Sequence, residues 1–209
     1  MIDVVFWDFG GVFTASPFHA LRGYSASLGV AHDDLLDLVF GPYHLDTDHP
    51  WHRLERGEGT LEAAMGAAVA AAKVRGIAFD PRAFFGAMRD EIDRSGVVDT
   101  VRELQARGVR HCIITNNAKE FADSWRTLIP VDELFDEVVD SSAVGLRKPN
   151  PAIYELALAR LGVTDTSRTV FLDDFEPNVA AARALGMHGV LVEHPDPAMA
   201  ELRRLTGLV

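Results

Sequence analysis

Asp8, Thr115, Lys148 and the pair Asp173-Asp174 are the residues with the clearest capacity for chemistry, because each ends or follows an apolar run. Ile2 to Trp7 precedes Asp8, Val109 to Ile114 precedes Thr115-Asn116-Asn117, and Thr169 to Leu172 precedes Asp173-Asp174. A weaker run, Glu137 to Val139, ends in Asp140-Ser141-Ser142 and leads to Arg147-Lys148-Pro149. Taken singly these residues are ordinary: an Asp after a strand is usually a turn residue or a helix cap. Gathered in one cleft they would be something else. Three carboxylates repel one another and call for a cation. Few ligands, all oxygen, with room for water suit Mg²⁺. A lysine, a hydroxyl and backbone N–H groups then suit the remaining face of a phosphate.

The elements that would position them follow from hydrophobic patterning. Ile2 to Trp7, Val109 to Ile114, Thr169 to Leu172 and Gly189 to Val192 are nearly continuous rather than alternating, as in strands buried on both faces of a parallel sheet. Helical patterns lie between them: Val97 to Arg107, Pro151 to Leu161 and Pro177 to Leu185, each followed by a glycine stop. This alternation predicts an α/β fold, a doubly wound, Rossmann-like, mostly parallel sheet. Ligands of such sheets bind at the carboxyl ends of the strands, where all the residues above would converge. Residues 15 to 95 break the rhythm and read only as helices: Pro17 to Leu28, Asp33 to Phe40, Thr60 to Lys73 and Pro81 to Ile92. The expected organisation is therefore a core of residues 1–14 and 96–209 and a helical cap of 15–95 inserted over the site.

Composition narrows the partners. The 209 residues carry a formal net charge of −11, which gives no general attraction to nucleic acid or to an anionic membrane. An anionic ligand then needs a local reversal of the field by a metal and a fixed cation. Cys112 is the one cysteine, so neither an intramolecular disulfide nor a cysteine-based zinc site can form. It sits in an apolar run and is expected to be an inert core thiol. The start Met1-Ile2-Asp3 lacks a leader pattern, and no apolar stretch is long enough to span a bilayer, so the cytoplasm is the expected compartment. Oligomeric state stays open between monomer and homodimer.

Four stretches together resemble the haloacid dehalogenase superfamily. Val4-Val5-Phe6-Trp7-Asp8-Phe9-Gly10-Gly11-Val12 is similar to its first motif, Ile113-Ile114-Thr115-Asn116 to its second, Gly145-Leu146-Arg147-Lys148-Pro149 to its third, and Val170-Phe171-Leu172-Asp173-Asp174 to its fourth. Glu55-Arg56-Gly57-Glu58 and the segment Arg147 to Tyr154 resemble the subfamily with a small helical cap, which includes sugar-phosphate phosphatases and the amino-terminal domain of soluble epoxide hydrolases. The resemblance implies that Asp8 attacks phosphorus and forms an aspartyl-phosphate. It implies Mg²⁺ held by Asp8, the Gly10 carbonyl and Asp174, with Asp173 beside them. Thr115, the N–H of Asn116 and Lys148 would hold the phosphoryl group of a small phosphorylated metabolite such as a sugar phosphate.

One departure matters. Gly10 stands where most phosphatases of this superfamily carry an aspartate that protonates the leaving group, a role commonly worth ~10²–10⁴ in rate. A slow phosphatase follows, with a good leaving group or another proton donor making up the loss. His44, Asp48, His49 and His52 are the candidate donors in the cap, and Trp51-His52-Arg53 is the candidate specificity segment. Two other readings remain. A metal-independent 2-haloacid dehalogenase also lacks the second aspartate, but Asp173-Asp174 is unlike its fourth motif. A non-catalytic phosphate-binding relative is favoured only by Gly10.

Overall fold

The computed structural model describes residues 1–88 and 95–208. Five strands, β1 (Val4–Trp7), β2 (Arg110–Thr115), β3 (Glu137–Asp140), β4 (Thr169–Asp173) and β5 (His188–Leu191), form one sheet in the order β3-β2-β1-β4-β5. Every pairing is parallel. The weak run at Glu137 is thus a true edge strand. β1 is shorter than its apolar run: Ile2 and Asp3 precede the ladder.

Alternate residues along each strand point to opposite faces. In β1, Val5 and Trp7 join a cluster with Ile113, Leu172, Val101 and Leu202, while Val4 and Phe6 join one with Cys112, Phe171, Ile153 and Tyr154. Both faces are covered, which is why the run could not alternate. Helices α6 (Ser95–Gln105) and α12 (Pro195–Thr206) cover the first face, and α10 (Pro151–Arg160) and α11 (Glu176–Ala184) the second.

Between β1 and α6 come α1 (Pro17–Leu28), α2 (His32–Phe40), α3 (Pro50–Glu55), α4 (Leu61–Val74) and α5 (Pro81–Ala87). Leu21, Leu35, Phe40, Met65 and Phe84 anchor a separate apolar cluster within this layer. Helix α5 ends at Ala87, and residues 89–92 of the longer expected helix lie outside the described residues. Short helices α7 (Ala122–Trp125), α8 (Val131–Leu134) and α9 (Ser141–Val144) follow β2 and β3.

The register sets the site. Trp7 is level with Leu172 and Ile113, so Asp8, one residue on, comes level with Asp173 and just short of Thr115. The Asp8 N–H donates to the Leu172 carbonyl at 2.8 Å, extending the ladder by one bond. The chain steps from β1 to β2 and β3 on one side and to β4 and β5 on the other. The crevice at this switch point opens beside Asp8. The helical layer lies over this edge: Tyr43 meets Phe175 after β4 edge to face, Glu55 pairs with Arg147 after β3, and Asn116 after β2 donates to the Tyr43 hydroxyl. No described helix is long and apolar enough to cross a membrane.

Candidate active site

Lys148 is the hub. Its Nζ lies 2.7 Å from Asp8 Oδ1 and 2.7 Å from Asp173 Oδ2, with the lysine almost wholly buried. Burial disfavours the ammonium, but Asp173 and then Asp8 outweigh it and hold its pKa above the ordinary value. The Asn116 side chain grips the Lys148 backbone at both ends, accepting its N–H at 2.8 Å and donating to its carbonyl at 3.1 Å. Asn116 was expected to act through its main chain; its side chain in addition fixes the lysine. Thr115 is buried at the end of β2, one residue away.

The three carboxylates Asp8, Asp173 and Asp174 bring one oxygen each within 4.8 Å of one another. They are not equivalent. Asp173 Oδ1 accepts from the Phe175 N–H and Asn178 Nδ2, and Oδ2 from Lys148 Nζ and Asn178 Nδ2. A carboxylate has about four lone-pair sites, and here all are engaged. Asn178 is itself held, since the Tyr154 hydroxyl donates to its carbonyl at 2.9 Å. Asp173 thus aims the lysine, while staying in the same carboxylate cluster as Asp8 and Asp174.

Asp174 is the opposite case. Its Oδ2 is buried and has no hydrogen-bond partner among the described residues. Burial, and next the charge of Asp173, raise its pKa to about 7, against the pull of the Ser16 hydroxyl that also caps α1. Burial likewise pushes the Asp8 carboxyl well above its usual range, with Lys148 pulling the other way. One ammonium cannot balance three carboxylates, and an orphaned carboxylate oxygen is costly. These residues fit an oxygen-preferring divalent cation between Asp8 and Asp174.

Gly11 makes the approach possible. Its φ is +76°, and a Cβ there would fall 2.1 Å from Asp174 Oδ2. Only glycine fits. Gly10 is different: a Cβ would meet nothing nearer than Pro17 Cδ at 4.0 Å. A side chain could start at Gly10 without its Cβ displacing a neighbour.

The expected specificity segment lies on α3 and is drawn into other contacts. His52 is wholly buried, with Nδ1 accepting from the Thr47 N–H at 3.0 Å. Trp51 Nε1 donates to Glu55 Oε1 at 2.8 Å, and Arg53 turns outward toward Asp48. His49 caps α3, accepting from the Trp51 N–H, and His44 is exposed. What joins this segment to the site is a pair whose members both lie in the quoted motif stretches but were not expected to meet. Arg147 Nε donates to Glu55 Oε2 at 2.7 Å, with both side chains buried, and the Arg147 guanidinium stacks over Tyr43 at 4.7 Å. No local signal marks this pair, because its members are 92 residues apart.

Comparison with known proteins agrees with this geometry. Residues 2–186 match the family model of haloacid dehalogenase-like hydrolases. Acyl-CoA dehydrogenase family member 10 of Mus musculus is 28% identical over 97% of this chain, which covers only 19% of that protein. The chain thus spans about a fifth of the length of that curated relative. The sesquiterpene phosphatase astK of Aspergillus oryzae is 35% identical over 51% of this chain and 54% of its own length. A solved HAD-like family hydrolase from Porphyromonas gingivalis superimposes with a TM-score of 0.65 at 25% identity, covering 98% of both chains. With the family model spanning nearly the whole sheet, and the motif residues meeting at one sheet edge, the chain belongs to the haloacid dehalogenase-like hydrolases.

Proposed function

We propose that this hydrolase is a Mg²⁺-dependent phosphomonoester phosphatase working through an aspartyl-phosphate on Asp8. The observation that carries this reading is the unpartnered, buried Asp174 Oδ2 beside the Asp8–Lys148 ion pair. Asp8, Asp174 and the Gly10 carbonyl would hold the cation. Bound there, it would neutralise charge on the phosphoryl oxygens and on the carboxylates.

The chain's own residues supply the rest. Asp8 Oδ1 is committed to Lys148 and to the Phe9 N–H at 2.7 Å, which pins the carboxylate in orientation. A fixed nucleophile saves the entropy of aligning it. Lys148 and the Thr115 hydroxyl stabilise the negative charge spread over the phosphoryl oxygens. The helical layer from α1 to α5 acts as a cap that excludes water from this edge. The phosphatase activity of the Aspergillus relative supports the same reaction class.

The test is release of phosphate from acetyl phosphate and aryl phosphates by the full chain, with and without Mg²⁺. Turnover that requires Mg²⁺ and disappears in Asp8→Asn supports the reading. A folded protein with no turnover across phosphate esters points to a binding relative. Halide release without metal points to a dehalogenase.

A further inference from the structure

An open pocket of ≈ 400 Å³ adjoins the site and contains Gly10 and Asn117 in its wall. Gly10 follows Asp8 by two residues, and Asn117 follows Thr115 by two. The pocket therefore borders the strand ends that carry Asp8 and Thr115. Its apolar surface comes from Phe9, Pro17, Met88, Phe121, Trp125 and Leu128. The polar side chains among its described lining are Thr14, Asn117 and Ser124, and none of that lining is a charged residue or a histidine. All three are already engaged: Thr14 Oγ1 donates to the Ala15 carbonyl, Asn117 Nδ2 to Asp140 and Ser124 Oγ to the Phe121 carbonyl. Such a wall offers little to a polyhydroxylated sugar, whose hydroxyls would lose water without regaining partners. Leu128 is 61% exposed at the rim, an apolar side chain left facing the solvent.

Among the described residues this wall holds no acidic or basic side chain to protonate a departing oxygen, and a Cβ at Gly10 would meet nothing nearer than Pro17 Cδ at 4.0 Å. The leaving oxygen must then carry its own negative charge. Phenols, with a pKa of about 10, do so far better than alkyl alcohols. Resting on the phosphatase reading above, we propose that the substrates are phosphate monoesters of apolar, phenol-type alcohols, with the aromatic group seated in this pocket. An Asp8 oxygen forms a bond to phosphorus as the ester P–O bond breaks. The electron pair stays on the aryl oxygen, which departs as a phenolate. Water then attacks the phosphorus of the aspartyl-phosphate, freeing the carboxylate and inorganic phosphate. The proton that this water loses is the one the phenolate recovers.

The test compares kcat/KM with Mg²⁺ for acetyl phosphate, 2-naphthyl phosphate, substituted phenyl phosphates, an alkyl phosphate and glucose 6-phosphate. Acetyl phosphate needs neither an acid nor the pocket, so its hydrolysis reads the catalytic site alone. If it is not hydrolysed in an Asp8-dependent way, the phosphatase reading fails and this proposal with it. If it is hydrolysed, 2-naphthyl phosphate should exceed glucose 6-phosphate by ~100-fold or more, and rates should fall steeply as phenol pKa rises. Leu128→Asp should lower the naphthyl-to-acetyl ratio by ~10-fold, the scale of a lost apolar contact. A binding readout guards against a misfolded variant: naphthylmethylphosphonate should quench Trp125 fluorescence at ~10-fold lower concentration than methylphosphonate. Preference for the sugar phosphate, a flat dependence on leaving-group pKa, or equal binding of the two phosphonates would each overturn the proposal while leaving the phosphatase intact.

Discussion

Asp174 and Gly10 are adjacent problems of charge and of space, and each has a direct test. With its pKa raised to about 7, Asp174 is strained when ionised, and replacing it should relieve the protein without metal. Asp174→Asn is therefore expected to raise the melting temperature in EDTA. In wild type, Mg²⁺ at ~100 times its Kd should add ~2.7 kcal/mol, or about 5–10 °C for a chain of this size. The variant should lose that shift. Equal Mg²⁺ shifts in the two proteins would remove Asp174 from the metal site. Gly10→Asp places its Cβ in open space. It should raise kcat for alkyl phosphates by ~10²–10⁴ and for aryl phosphates far less. An unchanged alkyl rate would mean that some other group already delivers the proton.

Among the elements, α3 does the most for its size. It is six residues long, too short for helical periodicity to announce, yet it carries Trp51, His52, Leu54 and Glu55. Sequence patterning found most of the strands because they lie in nearly continuous apolar runs, and the chemistry because those runs stop at polar residues. It could not find the Glu55–Arg147 clasp, whose partners meet only after β3 and the helical layer come together. For the same reason Trp51-His52-Arg53 looked like a specificity segment: its residue types suit a ligand, but His52 is spent on the Thr47 backbone and Trp51 on Glu55. Helix α12 has plain signals, Pro195 at its start and Gly207 past its end, and covers a sheet face that strand alternation alone leaves open. The clasp is testable. Glu55→Ala strands the buried Arg147 charge and should cost ~3–5 kcal/mol in urea unfolding. The double variant Glu55→Met, Arg147→Met should recover much of that stability, since no ion remains to be desolvated. If the single variant costs under ~1 kcal/mol, the clasp does not tie α3 to the Lys148 loop.

Across the whole molecule, both layers hide a neutral histidine. His111 is wholly buried beside the sheet, where its Nδ1 accepts from Trp7 Nε1 at 3.1 Å, and burial lowers its pKa to about 4. His52, buried in the helical layer, is lowered to about 3, by burial and then by the Arg147 charge. A histidine near 6.5 in the unfolded chain binds its proton there first as pH falls. The unfolded state then holds more protons, so these residues contribute stability above pH ~6.5 that is lost as pH falls toward ~4. Asp8 and Asp174, raised rather than lowered, act with the opposite sign over an overlapping range, so the slope of the wild type alone does not isolate the histidines. A difference does. His111→Gln keeps an acceptor for Trp7 and removes the titration. Measured by urea unfolding, the stability of wild type minus that of the variant should fall by about 3 kcal/mol between pH ~7.5 and ~4. A difference that stays constant across this range would show that His111 keeps the same affinity for protons in the folded chain as in the unfolded one.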